Sequence, residues 1–197
     1  MLLFDAQVSG NCYKVRLLLA HLELPYERRE VDVIDRSRRA EILGDRNPAL
    51  RVPVLELDDG RSLAESDAIL WYLGDGTEYV PEDPFERAQV LQWLFFEQYN
   101  HEPYVAVARF WLTELGDVDP VELEKKQRGG YAALDAMELH LRARSFLVGE
   151  RYSIADVGLY AYTHVAPEGG FDLGRYPAIG EWLARVAAQP RHVPIDA

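Results

Sequence analysis

Short apolar runs and helical periodicities alternate over the first part of the chain. The run Leu2-Leu3-Phe4 ends at Asp5, which is typical of a short buried strand. A helical stripe follows, with apolar residues spaced at i, i+3, i+4 and i+7: Val15, Leu18, Leu19 and Leu22. Pro25 ends this helix, and residues 26–33 are predicted to form a second strand.

The next segments complete one small domain. Residues 36–45 are polar and predict a short helix, and Asp58-Asp59-Gly60 lies between two short apolar runs, which indicates a hairpin. A closing helix is predicted from Ala68, Ile69, Tyr72 and Leu73. The predicted order is β-α-β-α-β-β-α within residues 1–76, so the fold class of this half is α/β.

The remainder of the chain shows only helical patterns. Residues 77–84 are predicted to be a linker, because glycines and prolines concentrate around them. The segment 85–115 predicts a long aromatic-rich helix that Pro103 should kink or split. Pro120 suits the first position of a further helix, and the last helix shows the i, i+3, i+4, i+7 stripe from Ile179 to Val186. We therefore expect residues 85–197 to form an all-helical domain.

Charge and composition narrow the classes of function. The chain has 33 acidic and 21 basic residues, a formal net charge of −12, which argues against nucleic-acid binding. The single cysteine, Cys12, excludes an internal disulfide, and the five scattered histidines show no metal-ligand spacing, so no metal is expected. No run approaches the ~18 apolar residues of a membrane helix. Without a signal-like N-terminus, the expected location is the cytosol.

Two local segments have both a structural and a functional interpretation. The residues Ser9-Gly10-Asn11-Cys12 lie at the start of the first helix, where Ser9 or Asn11 can cap the helix, or the helix N-terminus can bind an anion. Val52-Pro53 stands at a strand start and is compatible with an ordinary loop or with a cis bond that turns the Val52 backbone toward a ligand.

Three further segments leave similar alternatives. Glu65 and Ser66 begin a helix. There they can interact with the positive end of the helix dipole, or they can bind the ammonium and carboxylate of a ligand. Ser153 and Asp156 have the spacing of a capping box, and the structural interpretation is favoured there. His101 lies at the predicted kink, where it can line a cavity or face solvent.

The order and spacing of these segments resemble the cytosolic glutathione transferases over essentially the whole chain. The resemblance is carried by Ser9–Arg16, Arg51–Leu55, Glu65–Ile69 and Ser153–Asp156. It implies a thioredoxin-like N-terminal domain and an all-helical C-terminal domain. It also implies glutathione as co-substrate, with its thiol activated for attack on small hydrophobic electrophiles.

The resemblance assigns expected roles to individual residues. Ser9 is similar to the catalytic serine of the theta and zeta classes, with Asn11 as the rival contact of the thiolate. The glutathione-binding set that it implies is Arg51, Val52, Pro53, Glu65 and Ser66, in which Val52 meets the cysteinyl part, Glu65-Ser66 hold the γ-glutamyl end, and Arg51 or the 36–39 region meets the glycyl carboxylate. Candidates for the electrophile pocket are His101, Tyr104, Phe110 and Trp111.

Two other functions compete with conjugation at this stage. A glutathione-dependent disulfide reductase or peroxidase needs the same thiolate, and a non-catalytic partner-binding module is found in the same superfamily. The resemblance also implies a homodimer, with the contact near Asp67, Trp71 and the fourth helix.

Overall fold

A four-stranded sheet organises the first part of the chain in the computed structural model, which describes residues 1–197. The strands are β1 (Leu2–Asp5), β2 (Glu27–Glu30), β3 (Val54–Glu56) and β4 (Ser62–Ala64), in the order β2-β1-β3-β4. β1 pairs parallel with β2 and antiparallel with β3, and β3 pairs antiparallel with β4.

Three helices complete this part and confirm the thioredoxin-like order predicted above. They are α1 (Gly10–His21), α2 (Arg39–Leu43) and α3 (Ser66–Gly74). β2 is shorter than the predicted 26–33, and all four of its residues, Glu27 to Glu30, are exposed. Its strand conformation therefore comes from pairing with β1 at the edge of the sheet, not from burial.

The side chains of each strand point alternately to the two faces of the sheet, and both faces are buried. On one face Phe4 and Val54 pack with Leu43 of α2, and all three have no exposed surface. Leu3 and Leu55 lie on the opposite face and are equally buried. The helices α1 and α3, which pack against each other, belong to the layer that covers this second face.

The rest of the chain is all-helical, as predicted. It consists of α4 (Pro84–Phe96), α5 (Glu102–Phe110), α6 (Pro120–Leu141), α7 (Ile154–Thr163) and α8 (Pro177–Ala187). Pro103 lies in the first turn of α5, and the five residues before that helix, Glu97–His101, form a π-helical turn. The break predicted at Pro103 is thus a change of helix type, in which the missing N–H of proline falls at a helix start.

The chain divides into two units whose bounds differ from the simple split in sequence. The first unit comprises Met1–Asp75 together with Pro190–Ala197, and the second comprises Gly76–Gln189. Residues 190–197, which the sequence analysis assigned to the helical domain, belong with the sheet because their backbone carbonyls accept hydrogen bonds from α1. None of the helices has the length and apolar content that crossing a bilayer requires.

Candidate functional site

Three loops of the first unit leave the sheet at the same edge. The pairing register places Phe4 opposite Val54, and Val54 opposite Ala64, across the three strands β1, β3 and β4. The segment after β1, the segment before β3 and the segment after β4 therefore start side by side. These segments contain Ser9, Val52-Pro53 and Glu65-Ser66, so the topology brings together residues that are far apart in sequence.

Ser9 caps helix α1. Its backbone is extended, and its hydroxyl oxygen accepts a hydrogen bond from the Cys12 N–H at 3.3 Å. A hydroxyl that accepts one bond still carries a hydrogen to donate. The capping role and the anion-binding role, which were alternatives in the sequence, are therefore compatible in one side chain.

Asn11 connects the first loop to the third. The Ser66 hydroxyl donates to Asn11 Oδ1 at 3.3 Å. Ser66 in turn accepts a hydrogen bond from the Lys14 ammonium at 3.2 Å, and Lys14 also bonds Asp67 Oδ1 at 3.2 Å. Asp67, which was expected near a subunit contact, thus directs its carboxylate at a cation of its own unit.

The start of α3 has no side-chain cap. Glu65 occupies the N-cap position, and its side chain makes no capping hydrogen bond. The first N–H groups of this nine-residue helix therefore lack the usual intramolecular acceptor, and the helix dipole favours a negative group there. Ser66 is buried, whereas the Glu65 side chain is exposed.

Val52-Pro53 forms a cis peptide bond, one of the two forms left open by the sequence. Pro53 is buried and Val52 is half-buried directly before β3. Arg51, the preceding residue, is exposed.

Arginines surround this second loop. Arg39 is buried and donates to the carbonyl oxygens of Asp32, Val33 and Leu50. Burial lowers the pKa of the Arg39 guanidinium, and the positive charges of Arg36 and Arg51 lower this pKa further. Arg39 therefore holds the loop, while Arg36 and Arg51 place exposed positive charge beside it.

Cys12 has no exposed surface and is a poor candidate for thiol chemistry. Burial raises the pKa of its thiol well above the usual range, and the negative charge of Asp5 raises this pKa further. Because the thiolate is the reactive form, the geometry assigns Cys12 to the packing of α1.

The residues expected to contact an electrophile have different environments in the second unit. Tyr104 and Trp111 are half-buried, and the Lys126 ammonium lies 5.5 Å and 5.8 Å from their respective ring centroids. Phe110 is also half-buried, at the end of α5. The two rings thus share one cation through cation–π contacts.

His101 is fully buried, in neither the solvated nor the cavity-lining state predicted from sequence. Its Nε2 lies 3.1 Å from the hydroxyl of Thr163, which donates to the Leu159 carbonyl. Thr163 has used its hydrogen, so His101 donates through Nε2–H. A side chain without exposed surface does not touch a ligand unless the helices move, so we leave His101 out of the proposed site.

Ser153 and Asp156 form the capping box at the start of α7. Asp156 also accepts hydrogen bonds from the Leu147 N–H at 3.0 Å and from the Trp182 indole at 2.9 Å. Burial raises the pKa of the Asp156 carboxyl to about 6, and its four hydrogen bonds act in the opposite direction. The structural interpretation of this motif is the one that the contacts support.

Sequence reasoning missed Lys14. Its position within the helical stripe of α1 gave no signal, because lysines on such helices usually extend their ammonium to water. The side chain is instead fully buried. Nowhere in the chain do three or more His, Cys, Asp or Glu side chains gather as a metal site would require.

Comparison with known proteins gives matches over both units. Residues 8–75 match the model of the glutathione S-transferase N-terminal domain, and residues 89–190 match that of the C-terminal domain. A glutathione S-transferase structure from Pseudomonas fluorescens is 52% identical, with a TM-score of 0.96 and coverage of 98% of both chains.

Two curated relatives are more distant. The maleylacetoacetate isomerase of Rhizobium meliloti is 31% identical over 99% of this chain and 92% of its own length. The disulfide-bond oxidoreductase YfcG of Escherichia coli is 29% identical over 92% of this chain and 88% of its own length. The relatives therefore share the full two-domain arrangement but carry different named activities.

Proposed function

Because the chain belongs to the glutathione S-transferase family, we propose that it binds glutathione at its first unit as the thiolate and conjugates it to small hydrophobic electrophiles. The observation that carries this proposal is the sheet register, which brings the Ser9 loop, Val52-Pro53 and Glu65-Ser66 to one edge. The direct contact between Asn11 and Ser66 joins two of these segments.

The chemistry of this edge matches the chemistry of the tripeptide. Glutathione carries one ammonium, two carboxylates and a thiol. Exposed Glu65 supplies an acceptor for the ammonium, and the backbone N–H of Ser66 at the uncapped N-terminus of α3 supplies a donor for the adjacent carboxylate. The Val52 backbone meets the cysteinyl unit, and Arg51 with Arg36 provides positive charge for the glycyl carboxylate.

The groups at the start of α1 activate the thiol. The Ser9 hydroxyl and the Asn11 amide donate to the sulfur, and the α1 dipole adds to the stabilisation. A thiol with a pKa near 8.5 is only ~3% ionised at pH 7, and lowering the pKa by two units raises this fraction about 25-fold. The lower basicity reduces nucleophilicity by a factor of about 8, so ionisation alone gains only about threefold.

Positioning of the second substrate must therefore supply most of the acceleration. Tyr104, Phe110 and Trp111 are the proposed apolar contacts of the electrophile. A homodimer remains part of the proposal, with the exposed Tyr72 of α3 and Phe95 of α4 as residues that a partner subunit would cover.

Reduction of disulfides is the second candidate, and similarity to the YfcG oxidoreductase favours it. Cys12 is buried and its thiol pKa is raised, so the route would use two glutathione molecules. The first thiolate attacks the disulfide and releases one thiol. The second thiolate attacks the mixed disulfide, so that glutathione disulfide forms and the second thiol is released.

A turnover panel with glutathione separates the two functions. It should contain a chlorinated aromatic electrophile, a hydroperoxide, a small disulfide and maleylacetoacetate. Conjugation of the electrophile at the highest kcat/KM is the expected result. Faster turnover of the disulfide would assign the reductase, and failure to bind glutathione would overturn both functions.

The Ser9→Ala variant tests the activation step. We expect glutathione affinity to change by less than about threefold, because binding energy comes from other contacts, while the pH at which conjugation appears rises by about one unit. Ser9→Thr keeps the hydroxyl and serves as the control. Identical pH profiles for Ser9→Ala and the unmodified protein would remove Ser9 from the mechanism.

A further inference from the structure

Lys14 is a charged residue in a fully buried position. Its ammonium lies 3.2 Å from both the Ser66 hydroxyl and Asp67 Oδ1, and its side chain has no exposed surface. A buried ion pair is often no more stabilising than apolar residues of the same size. Stability therefore does not explain the pair by itself, and its connections suggest another role.

The hydrogen-bond directions in this cluster follow from the groups present. An ammonium can only donate, so the Ser66 hydroxyl accepts from Lys14 and directs its own hydrogen elsewhere. That hydrogen goes to Asn11, 3.3 Å away, and it requires the carbonyl end of the side-chain amide. The NH₂ end of Asn11 must then be on the side away from Ser66.

We propose that Lys14 is a positioning residue for the thiolate. Acting through Ser66, it holds the Asn11 amide in the one orientation that presents N–H donors to the glutathione sulfur. This inference rests on the proposed function, because it needs glutathione to be bound at the start of α1. Lys14 touches neither the sulfur nor the electrophile.

The two hydrogen bonds that connect Lys14 to Asn11 through Ser66 are called the relay below. The relay affects the stability of the thiolate. An amide turned by half a revolution would present its oxygen to the sulfur and would repel a thiolate. Lys14 disfavours that orientation in two ways: its ammonium occupies one lone pair of Ser66, which directs the only hydroxyl hydrogen toward Asn11, and its positive charge attracts the amide oxygen and repels the NH₂ end. Loss of Lys14 would therefore raise the pKa of the bound thiol, although every residue that contacts glutathione is still present.

The test must remove the relay without leaving an unpaired buried charge. The double variant Lys14→Met/Asp67→Asn removes both members of the ion pair and keeps the local net charge. Asp67→Asn alone keeps the Lys14–Ser66 bond and is the matched control. The readout is the pKa of the bound glutathione thiol, titrated through the ultraviolet absorbance of the thiolate in the full chain.

We expect the double variant to raise the thiol pKa by about one unit, the scale of one hydrogen bond to a charged group. Asp67→Asn should not raise this pKa. Adding Asn11→Ala should abolish the effect of the double variant, because the relay acts through Asn11. An unchanged pKa in the double variant, or the same rise in the Asn11→Ala background, would overturn the proposal.

A second variant covers the case in which the double variant does not fold. Ser66→Ala breaks the relay at its middle and leaves Lys14 paired with Asp67, and it should raise the thiol pKa by a similar amount; no rise would overturn the relay. If the unmodified protein shows no thiolate absorbance with glutathione, the proposed function itself fails. If it shows a lowered thiol pKa that neither variant changes, only the relay fails.

Discussion

Glu65 has a backbone conformation that side chains rarely adopt, with φ of 68°. A residue other than glycine in this region costs on the order of 1–3 kcal/mol. The position lies between the end of β4 and the start of α3, at the proposed site. The presence of a glutamate at this strained position is explained if its carboxylate binds the ammonium of glutathione.

We expect Glu65→Gly to separate stability from binding. Glycine adopts positive φ without strain, so the free energy of unfolding should rise by about 1 kcal/mol. Glutathione affinity should fall by roughly tenfold or more, because a charged contact is lost. Chemical denaturation and calorimetric titration measure the two quantities.

Glu23→Gly is the matched control for this prediction. Glu23 also has positive φ, 53°, just after the end of α1, but it lies outside the proposed site. It should gain a similar stability and keep full glutathione affinity. Equal losses of affinity in both variants would remove the binding role of Glu65.

At the scale of elements, helix α6 places two glycines where other side chains press against its backbone. A Cβ on Gly129 would lie 2.7 Å from Cγ of Tyr104, and one on Gly130 would lie 2.5 Å from Cζ of the buried Phe171. The sequence alone indicates only that these glycines weaken the helix. The packing shows that they permit the close approach of two aromatic rings.

Gly130→Ala should therefore destabilise the protein, although alanine is the better helix former. The gain in helix propensity is about 1 kcal/mol, and overpacking a buried ring costs about 1–3 kcal/mol. Gly180→Ala in α8, where a new Cβ meets no atom within 4 Å, should instead stabilise. The prediction fails if thermal unfolding shows the same sign for both substitutions.

The capping box of α7 predicts a pH dependence of stability. The pKa of Asp156 is raised from 3.8 to about 6 in the folded chain, so the folded state binds the proton more tightly between these values. Its contribution to the free energy of unfolding then falls as pH rises, by roughly 1 kcal/mol between pH 5 and pH 7.

Comparison with Asp156→Asn isolates this contribution, because the other titrating groups are common to both proteins. The unmodified protein should be more stable at both pH values, and its advantage should be larger at pH 5 than at pH 7. Urea denaturation at the two pH values measures the difference. An advantage that grows toward pH 7 would show that the four hydrogen bonds outweigh burial.

At the scale of the whole molecule, the last residues of the chain return to the first unit. The Val193 carbonyl accepts from the Tyr13 hydroxyl at 2.7 Å, and the Ile195 carbonyl accepts from Arg16 at 2.7 Å. The Pro190 carbonyl accepts from His21. Residues 190–197 thus complete the surroundings of α1, the helix that carries the proposed thiolate site.

Truncation after Gln189 should lower the free energy of unfolding by at least about 3 kcal/mol, since Tyr13, Arg16 and His21 of α1 lose their hydrogen bonds to backbone carbonyls, at about 1 kcal/mol each. Ile195→Ala keeps the carbonyl acceptors and should cost less than about 1.5 kcal/mol. Hydrogen exchange should increase along α1 in the truncated chain. No increase there would show that residues 190–197 do not hold the helix.

The hydrophobic periodicities of the chain were sufficient to predict the two-part fold, because the spacing of apolar residues reflects which face of each strand or helix is buried. They also located the segments around Ser9, Val52 and Glu65 at element boundaries. The second strand was predicted over 26–33, but its observed extent, Glu27–Glu30, is set by its backbone pairing with β1. The return of residues 190–197 left no such pattern, because it depends on backbone hydrogen bonds that place no demand on the side chains.

The contacts within the candidate site were beyond the reach of local patterns. Lys14, Ser66 and Asn11 meet only because α1 and α3 pack side by side, and the burial of His101 depends on Thr163, far away in sequence. Hydrophobic spacing is a local property that repeats along one element, whereas a hydrogen-bond network joins side chains from different elements. Folding must therefore bring those elements together before the chemistry of the site is defined.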